Sequence, residues 1–420
     1  MKTLLGISSF QLLAMFRRGL FYSYLAIYLR HFLGMSVTET TLFATLPMLF
    51  NVLAQRYVWG PWSDRYQKRR SLIIWGEFLA GIGTILLWFL HRIPEDKIWA
   101  GWIVIAGLTI IEIFWAMSNI GWSALISDLY DEGNRGKIIG KLEGLGGLGR
   151  MAGIFGGGLL YDKLGTEFPG WGFYDGWLFF FSGIVMFLSI FPLLMLPEGG
   201  IKKTTDLEIN LENSSSFHPS DFVMFILAMT LINFSRNSVA VSIAQYFTLN
   251  PGLHMSAMTL SYFVNIRSVG FIVAGFFTGW LLKKLGDQKL LIGGVLLAAT
   301  SLFQLGIGNT LFEIGTSSLL MGISEVFIMA AAYQLASVYI PAEKRGKLFS
   351  VFNATFFLSW GVAGTLITGP VTDLLIVAGH PEPFAYRVSF NVAAAITLTG
   401  LLLLLFQFRS ERRRTKYKTP

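Results

Sequence analysis

The feature that most limits this chain is a repeated one: apolar stretches of about 20 residues or more return along almost its whole length, parted by short polar connections containing Gly and Pro. Each is long enough to cross a hydrocarbon core of about 30 Å as a helix. A backbone in lipid must satisfy its own hydrogen bonds, which helices do and open sheets do not. Composition agrees: hydrophobic residues fill 53% of the 420 positions and charged residues 14%, against about a quarter charged in soluble domains. The expected fold is therefore an all-α membrane protein with twelve transmembrane helices in two pseudo-symmetric halves of six.

The spacing predicts spans at 10–32, 40–63, 71–90, 99–126, 138–160 and 177–196, then at 221–248, 257–282, 290–308, 314–339, 348–372 and 386–408. The first apolar run outlasts a signal peptide and is read as a retained helix. The longest connection, around KKTTDLEINLENSSS, is polar and falls mid-chain. The expected domains are thus an N-terminal half at 1–196, a central loop at 197–220, a C-terminal half at 221–408 and a basic tail at 409–420.

Lys and Arg are distributed unevenly among the connections. Alternate connections carry Arg65, Lys68, Arg69 and Arg70, then Arg135, Lys137 and Lys141, Lys202 and Lys203, Lys283, Lys284 and Lys289, and Lys344, Arg345 and Lys347. The opposite side has only Arg30, Arg92, Lys97, Lys163 and Arg387. Basic residues accumulate on the cytoplasmic side, so both termini are expected there, in a cell membrane of prokaryotic inner-membrane type. The tail RSERRRTKYK adds to that side and suits anionic headgroups.

A net charge of +8 does not make this a nucleic-acid binder, since the basic residues sit between apolar spans and share no soluble reading surface. Cysteine is absent and the five His show no ligand spacing, so no metal site and no cofactor is expected. No nucleotide loop or nucleophile–base constellation is visible, and an enzyme is not expected.

An internal repeat gives the halves substance. FRRGLFYSYLAIYL in the first span aligns with FSRNSVAVSIAQYF in the seventh, matching Phe16 to Phe234, Arg18 to Arg236, Ala26 to Ala244 and Tyr28 to Tyr246. Arg135-Gly-Lys137 is echoed by Arg345-Gly-Lys347. Two such halves related by an axis along the membrane normal imply a substrate path near the bilayer midplane and alternating access by rocking. One chain then holds a whole pathway, and a monomer suffices.

The connection Gly60-Pro-Trp-Ser-Asp64-Arg65-Tyr-Gln-Lys68-Arg69-Arg70 resembles the signature loop G-x-x-x-D-R-x-x-[RK]-[RK] of the major facilitator superfamily. The second half keeps a degenerate copy at Gly279, with Lys283 where the acid would stand. The resemblance implies secondary active transport and a cytoplasmic gate latched by Gly60, Asp64, Arg65, Arg69 and Arg70, with Glu143 nearby. Gly60 is expected to let neighbouring helices approach, and Asp64 with the basic residues to bond helix ends and acids. The run Gly149-Arg-Met-Ala-Gly153-Ile154-Phe-Gly-Gly157-Gly158 resembles an antiporter motif, but Ile154 replaces its proline. Close helix packing through small residues accounts for the run.

Charges within spans are expensive, about 2.5 to 3.5 kcal/mol at a helix centre, so each should face a cavity or a partner. Arg18, Arg150, Arg236 and Arg267 fall near mid-span, with only Glu112 and Glu325 as acids at that depth. Arg56 and Glu77 lie at similar depth in adjacent helices and are expected to pair. An excess of guanidinium suits a negatively charged substrate. Arg18 and Arg236, at matching places, are similar to the arginine pair of the organophosphate:phosphate antiporters of the superfamily. Substrate contacts are therefore expected from Arg18, Arg236 and Arg267, with neutral help from Tyr22, Gln245, Tyr246, Asn265 and Trp360. Tyr28, Asn233, Tyr333 and Gln334 are further candidates. Glu112, Arg150 and Glu325 are expected to relay charge, since a carboxyl group in a low-dielectric site can trade a proton as an arginine changes partners. Glu112 with Arg150 and Glu325 with Arg267 could equally be structural pairs.

The leading expectation is transport of a small organic anion, by proton coupling or exchange. The alternative is a proton-driven drug or metabolite exporter with structural arginines. A receptor or scaffold without transport is a third, opposed by the retained loop.

Overall fold

The structure is a computed structural model, and it describes residues 2–130, 132–162, 171–200, 219–340 and 345–418. Side chains at 132–137, 139–140, 171, 345–347 and 412–418 also fall outside the description, so Arg135, Lys137, Arg345, Lys347, most of the expected central loop and the tail's charges after Glu411 are not placed. No strand occurs among the described residues.

Twelve helical rods match the twelve expected spans among the described residues. The first six are α1 (Lys2–Ile27), α2 (Val37–Tyr66), α3 (Arg69–His91), α4 (Lys97–Leu129), α5 (Glu132–Tyr161) and α6 (Trp177–Leu193). The rest are α7 (Pro219–Phe247), α8 (Ala257–Leu285), α9 (Asp287–Ile307), α10 (Leu311–Tyr339), α11 (Leu348–Val377) and α12 (Glu382–Lys418). Nine of them are long and apolar enough to cross a membrane, with α6 a shorter apolar helix. α1 and α5 are long too, but α1 carries the adjacent Arg17 and Arg18 and α5 is rich in glycine and charge.

The rods depart from regular helix at three places. α1 passes into a π turn, Tyr28–Phe32, and α2 contains another, Gln55–Trp59. α11 breaks at Ile367, between Arg345–Leu366 and Thr368–Val377. Local chemistry starts several rods: Ser36 and Thr310 form capping boxes with Glu39 and Glu313, satisfying N–H groups that a helix start leaves open.

The chain divides into two compact units, Met1–Asp206 with Phe247–Tyr262, and Leu207–Tyr246 with Phe263–Pro420. In the first, α1 packs on α5 and α6, α4 on α2 and α3, and α6 on α3. The glycine run explains the α1–α5 seam. A Cβ at Gly149 or Gly153 would collide with the carbonyl oxygens of Leu12 or Phe16, and one at Gly157 would lie 2.6 Å from that of Leu20. Gly19 of α1 returns the fit against the Arg150 carbonyl. Small residues four apart thus bring two backbones into contact, as helix packing in lipid favours. In the second unit α9 packs on α10 and α12, while Gly322 of α10 lies against the Arg267 carbonyl of α8.

Candidate functional site

Polar side chains collect inside each unit. In the first, α1 presents Arg17, Arg18 and Tyr22 toward Glu112 and Trp115, one turn apart on α4. Both guanidiniums lie over the Trp115 ring, 4.3 and 4.5 Å from its centroid. Such contacts reach about 2 kcal/mol or more when desolvated. The indole Nε1 donates to Glu77 Oε1 at 2.8 Å, and Ser118 Oγ donates to the same oxygen at 2.6 Å. On the other side, Asn51 Nδ2 of α2 donates to Glu112 Oε1 at 2.8 Å, while Gln55 Nε2 donates to Asn51 Oδ1 at 2.5 Å.

These groups form two layers. Arg17, Glu77 and Trp115 are buried, whereas Arg18, Tyr22 and Glu112 are partly exposed. Behind them is a cavity of about 10 Å³ lined by Arg17, Tyr22, Thr84, Glu112, Trp115 and Ser182 among others, room for about one water molecule. Arg17 Nε, Arg17 Nη2 and Ser182 Oγ are buried there with no hydrogen-bond partner among the described residues.

The second unit is arranged differently. Arg267 Nη2 donates to Glu325 Oε2 at 2.9 Å, and its guanidinium lies 5.7 Å from the Trp360 ring centroid. Three expected site residues from α8, α10 and α11 thus meet. Arg236 is buried on α7 and donates from Nε to Asn233 Oδ1 at 3.3 Å, one turn back. Its Nη2 is buried without a hydrogen-bond partner among the described residues. Asn265 is partly buried two residues before Arg267, and side chains at that spacing leave a helix on different faces.

Several expected residues have structural neighbours instead. Gln245 and Tyr246 are fully enclosed at the end of α7, where Gln245 Oε1 accepts from Tyr386 at 2.9 Å and the Tyr246 hydroxyl accepts from Arg387 Nε at 2.8 Å. The expected pairing of Arg56 with Glu77 is not formed: Arg56 lies exposed on the π turn, 5.5 Å from the Tyr57 ring, because the wound-out turn carries it off the packed face. Glu112 takes Asn51 where the sequence also offered Arg150, whose side chain is exposed on α5.

At the loop between α2 and α3, Arg69 is the buried member. It reaches Asp128 Oδ2 of α4 at 3.3 Å and Asp64 Oδ1 at 3.5 Å, and also binds Ser63. Asp128 accepts in addition from Gly200 N at 2.9 Å. Arg70 donates to the Leu196 carbonyl just past the end of α6 at 2.8 Å and pairs with Glu198 at 3.2 Å. Arg65 lies exposed over Tyr66, and Glu143 is exposed on α5. Gly60 acts within its own helix, correcting its expected role between helices: a Cβ there would lie 2.6 Å from the Gln55 carbonyl that closes the π turn.

Sequence reasoning gave no role to Arg17, Trp115, Asn51 or Ser182. Arg17 and Trp115 carried a signal, as an arginine beside Arg18 and an indole three residues after Glu112. Asn51 and Ser182 had none, because neutral polar residues are common in membrane helices.

The Major Facilitator Superfamily profile matches residues 7–363 and again 223–420, and the chain belongs to that family. It is a multi-pass membrane transporter. It is similar to the multidrug resistance protein MdtG of Escherichia fergusonii, 23% identical over 374 residues spanning 88% of this chain and 84% of the relative. The Citrobacter koseri MdtG is 22% identical over the same coverage. Solved structures sharing the fold include a bacterial homolog of the human lysosomal transporter Spinster, inward-facing, at TM-score 0.70 and 15% identity over 97% of this chain and 96% of that one. The nucleoside transporter NupG matches at TM-score 0.71 and 11% identity over 97% and 99%.

Proposed function

We propose that the chain is a proton-coupled exporter of lipophilic small molecules, with Glu112 as the group that takes and releases the proton. The observation that carries this reading is the placement of Glu112: a carboxylate left partly open to its surroundings, held by the neutral Asn51 and set beside Arg18 and Trp115. A carboxylate fully committed to a salt bridge has less to gain from a proton than one held by an amide. Protonation of Glu112 removes the negative charge that balances Arg18, and an alternating-access transporter converts such a local change into a shift between its two states. The multidrug relatives support the export direction. Arginines with acids or aromatic rings at hand need no anionic cargo to account for them.

A second reading, transport of a small organic anion, is favoured by one observation. Arg236 Nη2 is buried without a hydrogen-bond partner among the described residues, and a carboxylate or phosphate oxygen is the natural acceptor for such a donor. In both readings the termini face the cytoplasm and the monomer is the working unit.

Reconstitution in proteoliposomes tests the two together. With an imposed pH gradient, Glu112→Gln is expected to lower flux of lipophilic cations at least tenfold while leaving their binding within about twofold. If Glu112→Gln keeps full pH-driven flux and Arg236→Met abolishes uptake of an organic anion, the anion reading replaces the export one.

A further inference from the structure

The second unit carries a groove that neither reading uses. It lies among α8, α9 and α10, encloses about 330 Å³ and is lined by Leu281, Leu285, Leu290, Leu296 and Phe327 with Lys289 as its charged group. That volume is in the range of small-molecule sites, about 300 to 1,000 Å³. Gly293 lies in the lining, and a Cβ added there would meet nothing within 4 Å. This glycine is therefore not explained by helix packing, unlike Gly153 or Gly322.

The charges gather where α8 turns into α9. Lys283, Lys284 and Lys289 are all exposed there, and the Lys284 Nζ lies 4.8 Å from the ring centroid of the exposed Trp280. Tryptophan beside lysine is the pairing found at headgroup depth. Basic pockets between membrane helices hold anionic lipid headgroups, each nearby lysine contributing about 1 kcal/mol. An apolar trough opening onto lysines matches one ligand chemistry, an acyl chain ending in a phosphodiester.

We propose that this groove is a binding site for an anionic phospholipid, one acyl chain lying along Leu281, Leu296 and Phe327 and the phosphate held by Lys289. The lysine makes the site selective for anionic over zwitterionic lipid, and the open space at Gly293 admits the chain. Nothing in this rests on the identity of the transported substrate.

Native mass spectrometry of the full chain, equilibrated with equal phosphatidylglycerol and phosphatidylcholine of the same acyl length, tests it. The wild type is expected to retain phosphatidylglycerol preferentially. Lys289→Gln should reduce that retention about fivefold, the equivalent of about 1 kcal/mol, with phosphatidylcholine unchanged. Gly293→Phe, which fills the trough, should reduce both lipids. Lys97→Gln, which removes the same charge elsewhere, should change neither. Equal retention of the two lipids by the wild type overturns the proposal, as does a Lys97→Gln loss matching that of Lys289→Gln. If Gly293→Phe fails to fold, as judged by size-exclusion chromatography, the lysine pair alone decides.

Discussion

The two units answer the same question, how to keep an acid inside a membrane helix, in opposite ways. In the second unit Glu325 is bound by a guanidinium, Arg267 at 2.9 Å. In the first, Glu112 is bound by an amide, Asn51 at 2.8 Å, with the guanidiniums of Arg17 and Arg18 turned onto Trp115 instead. The repeat carries the contrast further. The alignment sets Arg17 against Ser235. Ser235 Oγ closes a 2.7 Å bond with Thr397 of α12, while Arg17 Nε and Nη2 have no hydrogen-bond partner among the described residues, beside a small cavity near Ser182 of α6. Both units bury unmet guanidinium donors among the described residues, Arg17 Nε and Nη2 in the first and Arg236 Nη2 in the second, so what separates them is the partner each acid takes. Incomplete satisfaction is costly in a low dielectric and is the condition under which a proton or a partner can change the balance.

The sharpest way to break this comparison is to remove the cation from one pair and the amide from the other. Arg267→Ala removes the guanidinium bound to Glu325 and is expected to destabilise the protein by about 3 to 5 kcal/mol, the cost of breaking a buried ion pair from one side. Adding Glu325→Leu should restore most of it. Asn51→Ala should cost about 1 to 3 kcal/mol, as for a lost hydrogen bond to a charged group. Thermal unfolding in detergent checks all three, and equal losses for Arg267→Ala and Asn51→Ala would erase the distinction.

A smaller effect tests the seam that positions the first site. Gly153→Ala pushes a methyl into the Phe16 carbonyl and should cost about 1 to 3 kcal/mol by overpacking. Gly275→Ala in the second unit meets open space and should be neutral or stabilising by up to about 1 kcal/mol, since alanine is the better helix former. Smaller again, Trp115→Phe keeps a ring under the arginines but removes the donor to Glu77. A loss of about 1 to 2 kcal/mol is expected, with Ser118 still donating. Ser235→Ala should cost about 1 kcal/mol, for one neutral hydrogen bond. A larger penalty at Ser235 than at Trp115 would reverse the view that the first unit concentrates its polar energy on that indole.

Much of the fold was legible because lipid leaves a chain few options. Span length, backbone satisfaction and short polar connections are local properties, and the twelve rods follow them within several residues. The ends were less legible: α1 begins at Lys2 and α5 at Glu132, upstream of their apolar cores, because helices extend beyond the apolar stretch once other helices cover them. The site was legible in part. Charged residues within spans announce themselves, and Arg18, Glu112, Arg267 and Glu325 all lie in the two polar clusters. The pairing of Glu325 with Arg267 was one of two open alternatives. Nothing local could separate Glu112 with Arg150 from Glu112 with Asn51, since that depends on which face α5 turns to α1.

By itself, then, the sequence determined the membrane-spanning class, the number of rods, the two-fold repeat and the family, because each rests on composition, periodicity or a contiguous motif. Only the tertiary structure decided which partner each charge takes. The glycines that seat α1 on α5 and the indole that gathers Arg17 and Arg18 act across helices far apart in the chain. A difference of one residue in helix phase, about 100° of rotation, is enough to exchange one partner for another.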